Sequence, residues 1–388
     1  MKEKLIFDPI HGYMDFNPLC LQIIDTPEFQ RLRNIKQLGS CYLVFPGASH
    51  NRFEHSLGVA FLARKMILNF QYKQPELNIT NRLINLVEIA GLCHDLGHGP
   101  YSHIFDCKFI KKFPHIIYKQ HEQRSCEILK FIITKYKIEI SDNEIDLICQ
   151  LINPSKEKVI SPKFLYNIVS NVDNGIDVDK FDYIKRDAYN IGLNFNFDYD
   201  RILKQARVIN DTICYPDKVI YELYDLFKIR YQLHLRIYTH PVVRSIELMI
   251  IDALLLADDS IKISKSIDNV QEFIRINDHI LNIIEFASIS NPKLKESLNL
   301  INNINNRKLN IYIGEILLKN DDKTEYNYQF LLDQKIISNL EINESSFIID
   351  RIFLGNDQDP LDRVSFYDIN NNEICQVNKN QISQLLPS

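Results

Sequence analysis

A chain of 388 residues, 45% of them hydrophobic, can bury a large core and exceeds the usual length of one small domain. Its 45 Lys+Arg against 50 Asp+Glu leave a formal net charge of -5, which excludes a global basic field and makes any phosphate binding local. No apolar run is long enough to span a bilayer, and the start, MKEKLIFDPIHG, has no hydrophobic signal core, so the reading is an intracellular protein, cytoplasmic or nuclear, without a membrane partner.

In chain order, residues 1 to about 50 mix turns and short elements, with DPIHG as turn chemistry. Thr26-Pro27 reads as a helix start, Thr as N-cap and Pro at the first position, carrying Phe29, Leu32 and Ile35 inward. From Asn51 to about Leu256 the pattern is overwhelmingly helical. Thr80 caps a helix in which Leu83, Leu86, Val87 and Ala90 recur at helical spacing, and that helix delivers the chain to CHDLGHGPYSH, which its glycines keep from continuing as a regular helix. Helices are expected at about 118–137, 143–152, 163–174, 177–191, 197–205 and 219–256, with a hairpin at 206–216 turned by Asn210-Asp211. Two more follow at 268–288 and 292–306. The β-branched and aromatic runs FIIDRIFL and RVSFYDI then predict strands, so residues 310–388 read as a small mixed α/β lobe beside a mainly α domain at 1–309. The eight Cys are scattered without CxxC pairs, several within apolar helical patterns, and read as buried free thiols rather than a zinc site.

Hydrolysing a phosphate ester near neutral pH calls for a divalent metal that makes hydroxide from water and absorbs oxyanion charge; His and Asp ligands suit Fe, Mg, Mn or Zn. His55 in HNRFEHSLG, the adjacent His94 and Asp95, and Asp179 in GIDVDKFDY supply such a set on three segments that only a helical bundle brings together. Asp179, Tyr183 and Asp187 stand at i, i+4 and i+8 and share one helix face; Arg230, His234 and Tyr238 repeat that spacing, so the two stripes read as walls of a polar pocket. Arg52 and Lys180 add phosphate contacts, and His98, His103, Asp106 and His121 are the candidates for acid and base work, with Asp106 or Glu122 orienting a histidine. Spacing does not decide which histidine acts.

The set His55, His94-Asp95 and Asp179 matches the motif of the HD superfamily of metal-dependent phosphohydrolases, a helical-bundle fold. The flanking text, including FDPIHGYMDF, VFPGASHNRFEHSLGVAFLA, IAGLCHDLGHGPYSHIFD and NGIDVDKFDYIKRD, resembles the HD-domain deoxynucleoside triphosphate triphosphohydrolases, in particular the animal enzyme that joins a sterile-alpha-motif domain to the HD domain. The likeness runs from about residue 4 to 387. It implies cleavage of dNTPs to deoxynucleoside and tripolyphosphate, with metal ligands His55, His94, Asp95 and Asp179 and catalytic residues His98, His121 and Asp106. It implies substrate contacts at Gln37, Leu38, Arg52, His103, Lys180, Tyr183, Asp187, Arg230, His234 and Tyr238. Of these, Gln37 and Asp187 would bind the sugar 3′-hydroxyl and Leu38 and Tyr238 would crowd the 2′ position.

The same resemblance implies a homo-oligomer, dimer or tetramer, with a GTP activator at Lys4, Asp25, Gln30 and Arg33. The adjoining dNTP-activator site keeps Val44, Phe45, Arg201, Lys218 and His240, but Phe7, Pro216, Glu222 and Pro241 replace polar or basic residues, and Thr239 stands where the relative has a base-facing glutamine. No sterile-alpha-motif segment is expected, and the chain stops at QLLPS where the relative continues. The metal set alone leaves an HD phosphohydrolase of another nucleotide open. A nucleotide- or RNA-binding protein that keeps the fold without the activity is the reading from a different class; the slightly acidic chain and the complete ligand set speak against it.

Overall fold

The computed structural model describes residues 4–155, 162–195, 197–316, 330, 348–350, 352 and 359–375. The chain opens on a two-stranded antiparallel hairpin, β1 (Leu5–Asp8) and β2 (Gly12–Asp15), with Leu5 opposite Asp15. Its DPIHG turn is closed by Asp8, whose Oδ1 accepts the backbone N–H of Ile10 and His11 at 2.9 and 3.0 Å. Two short helices follow, α1 (Pro18–Ile24) and α2 (Pro27–Gln30), the second capped by Thr26 as its sequence predicts. It gives way at once to a 3-10 turn over Arg31–Asn34, and Phe29, Leu32 and Ile35 are all buried.

The core of the bundle is α3 (Arg52–Lys73), which packs along α4 (Asn81–Cys93). After α5 (His121–Tyr136), α6 (Asp142–Ile152) and the single turn α7 (Tyr166–Val169), α8 (Val178–Ile191) packs against α3 from another side. Gly58 of α3 makes that approach possible, because a Cβ there would collide with the Asp182 carboxylate and the Arg186 guanidinium. The helix expected over 163–174 ends early. The Asn171 side chain accepts the backbone N–H of Asp173 at 3.1 Å and of Asn174 at 3.2 Å, a local turn that competes with the helix.

Beyond α9 (Tyr199–Gln205), β3 (Arg207–Ile209) and β4 (Thr212–Pro216) form the predicted hairpin, with Asn210 and Asp211 at φ 49° and 59° in its turn. The helix expected over 219–256 is two: α10 (Ile220–Leu233), a π-helical turn over His234–Tyr238, and α11 (Pro241–Ile261). Pro241 has no N–H to continue the first helix and stands at the first position of the second, capped by His240. The stretch expected as one helix over 268–288 likewise breaks after α12 (Ile263–Ser266) into α13 (Val270–Phe273) and α14 (Ile280–Ser288). Asp278 between them turns its carboxylate to the backbone N–H groups of Lys36 and Tyr101, both at 2.7 Å. Then α15 (Lys295–Asn305) packs on α11.

Of the region 310–388, the described residues form β5 (Phe366–Tyr367) and β6 (Ile374–Cys375), and β5 runs parallel to β4 with Tyr215 opposite Phe366, so the C-terminal strands extend the central hairpin into one mixed sheet. Most of the expected strand FIIDRIFL lies outside the described residues. The architecture is mainly α, a helical bundle with a small mixed sheet. The eight cysteines are free thiols, five of them buried. No described helix is long and apolar enough to cross a membrane.

Candidate active site

Three elements converge where α3, α4 and α8 meet. Glu54 reaches back to accept the Asn51 backbone N–H at 2.7 Å, which fixes the start of α3 and turns His55 inward. Then α4 stops at Cys93 and presents His94 and Asp95 on the turn beyond its end. Asp177 caps α8 by accepting the Lys180 N–H at 3.0 Å, and Asp179 sits in the first turn, where the helix end favours a carboxylate. The ligand atoms of His55, His94 and Asp179 lie within 4.8 Å of one another. Asp95 closes the set, its two oxygens each 3.5 Å from an Nε2, one of His94 and one of His55.

The electrostatics match a cation site. Burial would raise the Asp179 carboxyl, but the facing imidazoles of His55 and His94 overcome it and hold it well below the usual carboxylate range. Burial likewise opposes the charged form of His55, and hydrogen bonds to Asp179 and Asp182 outweigh it, raising its pKa to about 10. His94 Nε2 is buried without a hydrogen bond while its Nδ1 lies 2.8 Å from the Gly91 carbonyl. An imidazole whose inner nitrogen has no partner and whose outer nitrogen is tied down is oriented for a metal, and the two-His, two-Asp set fits Fe, Mg, Mn or Zn.

Beside this set lies a histidine cluster. His98 stacks on His121 with ring centroids 3.9 Å apart and planes at 22°, and His103 meets His98 edge-on at 5.0 Å. The ligand atoms of these three also lie within 4.8 Å of one another. Near-parallel rings, however, place their in-plane lone pairs in separate layers that do not converge on one ion. Asp106 serves them instead: its Oδ2 is 3.3 Å from His121 Nδ1 and 3.9 Å from His98 Nδ1, and Arg124 grips its other oxygen. His98 is fully buried with neither ring nitrogen hydrogen-bonded, and burial, Arg52 and His121 push its pKa well down. Gly97 lets α5 come close enough to deliver His121, since a Cβ there would clash with the His121 carbonyl.

The pocket walls expected from the two stripes meet. The Tyr238 hydroxyl donates to Asp187 Oδ2, and Asp187 Oδ1 lies 2.7 Å from His50 Nε2. The His234 and Tyr238 rings are 4.9 Å apart, edge to face. Arg52 reaches Asp95, the Ser102 hydroxyl at 2.8 Å and the Gln37 carbonyl at 3.4 Å, tying the metal set to the segment that bears Leu38. Burial opposes the Lys180 ammonium, and Asp177, 2.9 Å away, overrides it and raises its pKa. The Gln37 Oε1 and Arg230 Nε atoms are buried without hydrogen-bond partners.

Four contributors were not singled out in the sequence: His50, Ser102, Arg124 and Asp182. Asp182 follows Asp179 by three residues and precedes Arg186 by four, a helical ion-pair signal; the other three act through tertiary contacts that spacing does not reveal.

Residues 52–187, which contain His55, His94, Asp95 and Asp179, match the HD domain family. The chain is 41% identical over 429 residues to the deoxynucleoside triphosphate triphosphohydrolase SAMHD1 of Homo sapiens, covering 99% of this chain and 68% of the relative. The chain belongs to the SAMHD1 family. It is 39% identical to the SAMHD1 of Mus musculus, over 99% of this chain and 66% of the relative. A SAMHD1 homolog of Dictyostelium discoideum is 40% identical over 100% of this chain and 75% of its own length. The chain thus spans about two thirds of the length of the human and mouse members.

Proposed function

We propose that this protein is a metal-dependent dNTP triphosphohydrolase that cleaves dNTPs to deoxynucleoside and tripolyphosphate. One observation carries the reading: His55, His94 and Asp179 converge, with Asp95 beside them, next to a stacked histidine pair of which His121 faces Asp106 at 3.3 Å. His55, His94, Asp95 and Asp179 would hold the metal, which supplies an activated water or hydroxide and absorbs phosphate charge. Lys180, Arg230 and Arg52 bind the triphosphate, Arg by its planar fork and Lys as a point charge. His121, held by Asp106, protonates the departing 5′ oxygen, while His98, kept neutral by burial and Arg52, packs against its ring and fixes it in place. His103 and His234 complete the contacts to the phosphates, Tyr183 walls the sugar pocket, Gln37 and Asp187 take the 3′-hydroxyl, and Leu38 and Tyr238 close the 2′ side.

Regulation belongs to the same proposal. Lys4 pairs with Asp25 at 2.9 Å and Arg33 donates to Gln30 at 2.7 Å, two contacts that would cradle GTP at the protein surface. At the dNTP-activator positions, Glu222 pairs with Arg201 and so neutralises one of the cations kept there. We infer a homo-oligomer that responds to GTP and depends less on a dNTP activator. We assign residues 1–309 to the catalytic domain and 310–388 to the C-terminal lobe.

The test is metal-dependent loss of each dNTP. Hydrolysis should require a divalent cation, be lost in Asp179→Ala together with metal content, and be absent with chelator; a chelated protein that consumes dNTPs at the untreated rate would overturn the reading.

A further inference from the structure

His55 is held from behind by groups that the chemistry above does not use. Its Nδ1 lies 2.7 Å from Asp182 Oδ2, and its Nε2 faces Asp179 at 3.0 Å. An ionised carboxylate only accepts, so Nδ1 carries a proton toward Asp182, and with a cation in the set the Nε2 proton is displaced and its lone pair would face the metal. Asp182 is fully buried and takes further bonds from Arg186, at 2.8 and 2.9 Å, and from His11 Nε2, at 2.6 Å. With its own proton on Nε2, His11 accepts at Nδ1, where the Tyr199 hydroxyl stands 3.0 Å away. Donation along this chain of bonds therefore converges on Asp182, from Tyr199 through His11 on one side and from His55 on the other.

The position of His11 gives this chain its consequence. It lies in the turn of the N-terminal hairpin, 171 residues from Asp182, with its side chain only 1% exposed. The same turn is anchored a second time by Asp8, whose Oδ2 accepts from Arg186 at 2.8 Å. Gly58 leaves the space that Asp182 occupies.

We propose that His11 is a positioning residue for the metal ligand His55, acting through Asp182, so that docking of the N-terminal hairpin sets the metal affinity of the bundle. The inference rests on the metal reading above. Outer partners of a ligating histidine fix its tautomer and ring orientation, and their loss typically costs about 10–100-fold in metal affinity. By linkage, whatever orders the hairpin tightens metal binding, and metal binding tightens the hairpin.

The experiment is Mn2+ titration of the purified full chain, with bound metal counted by mass spectrometry and folding checked by near-UV circular dichroism. Folded His11→Ala should bind Mn2+ about 10–100-fold more weakly, and His11→Gln, whose amide can donate where Nε2 does, should recover most of the loss. A purely structural role for His11 would lower stability without changing Mn2+ affinity in the folded protein, and an affinity within twofold of wild type overturns the proposal. Tyr199→Phe removes one hydroxyl and keeps the packing, and covers the case in which His11→Ala does not fold: weakened Mn2+ binding supports the coupling and unchanged binding overturns it. Asp179→Ala separates the two failures. If it binds Mn2+ like the wild type, the metal reading is wrong; if it loses Mn2+ while His11→Ala does not, only the hairpin coupling is wrong.

Discussion

At the scale of single residues, the site sets polar groups against their solution behaviour, and pH exposes this. Burial and then Arg230 push the half-buried His234 down to about 4, so the folded protein resists a proton that the unfolded chain accepts near 6.5. A depressed folded pKa contributes stability that is present above the unfolded value and lost as pH falls through the folded one, here between about 6.5 and 4. His234→Asn should therefore remove part of the acid sensitivity. Urea unfolding at pH 7 and pH 5 should show a fall in wild-type stability that exceeds the fall in the variant by up to about 2 kcal/mol, reduced by solvent screening at this half-buried ring. Equal falls in the two proteins would show that His234 keeps its solution pKa. The convergence of His55, His94 and Asp179 was legible in the sequence because His94-Asp95, flanked by glycines and more histidines, stands out at a helix end. His50 and Asp182 were not, because a buried carboxylate announces itself only through partners that the fold supplies.

Secondary-structure elements were legible in kind and less so in extent. Thr80 and Asp177 sit at helix starts, where their side chains cap the first turn, and the Asn210-Asp211 hairpin formed as read. The long helix over 219–256 failed at Pro241, a breaker visible in the sequence but outweighed there by apolar periodicity on both sides. Its interruption matters to the site, since the π-helical turn carries His234 and Tyr238 at its two ends and lets Tyr238 reach Asp187. The contact between α3 and α8 gives a prediction at this scale. Gly58→Ala must push against Asp182 and Arg186, an overpacking worth about 1–3 kcal/mol, and thermal unfolding should report the loss. An unchanged midpoint would mean that the two helices separate freely.

For the whole molecule, the bundle gathers His55, His94 and Asp179 from distant segments, and the proposed function would place beside them a pocket that selects one sugar. The 2′-hydroxyl of a ribonucleotide would meet Leu38 and Tyr238 without a partner, so dATP should be cut about 100-fold faster than ATP at equal concentration. Comparable rates would remove the sugar gate. Assembly is the second expectation: in the proposed oligomer clustered cations would repel until phosphate bridges them, and the Arg201–Glu222 pair would relieve that repulsion. Light scattering and hydrolysis with and without GTP, and with a non-hydrolysable dNTP, should show activity that does not strictly require the dNTP activator. A strict joint requirement would mean that the activator site is built from other residues. The central claim is the bond that is cut, and phosphorus NMR of a single incubation with dATP, Mn2+ and GTP tests it most directly. Tripolyphosphate and deoxyadenosine should appear in equal amounts; pyrophosphate with dAMP, or orthophosphate with dADP, would contradict the proposed cleavage and place the protein among HD phosphohydrolases of another bond.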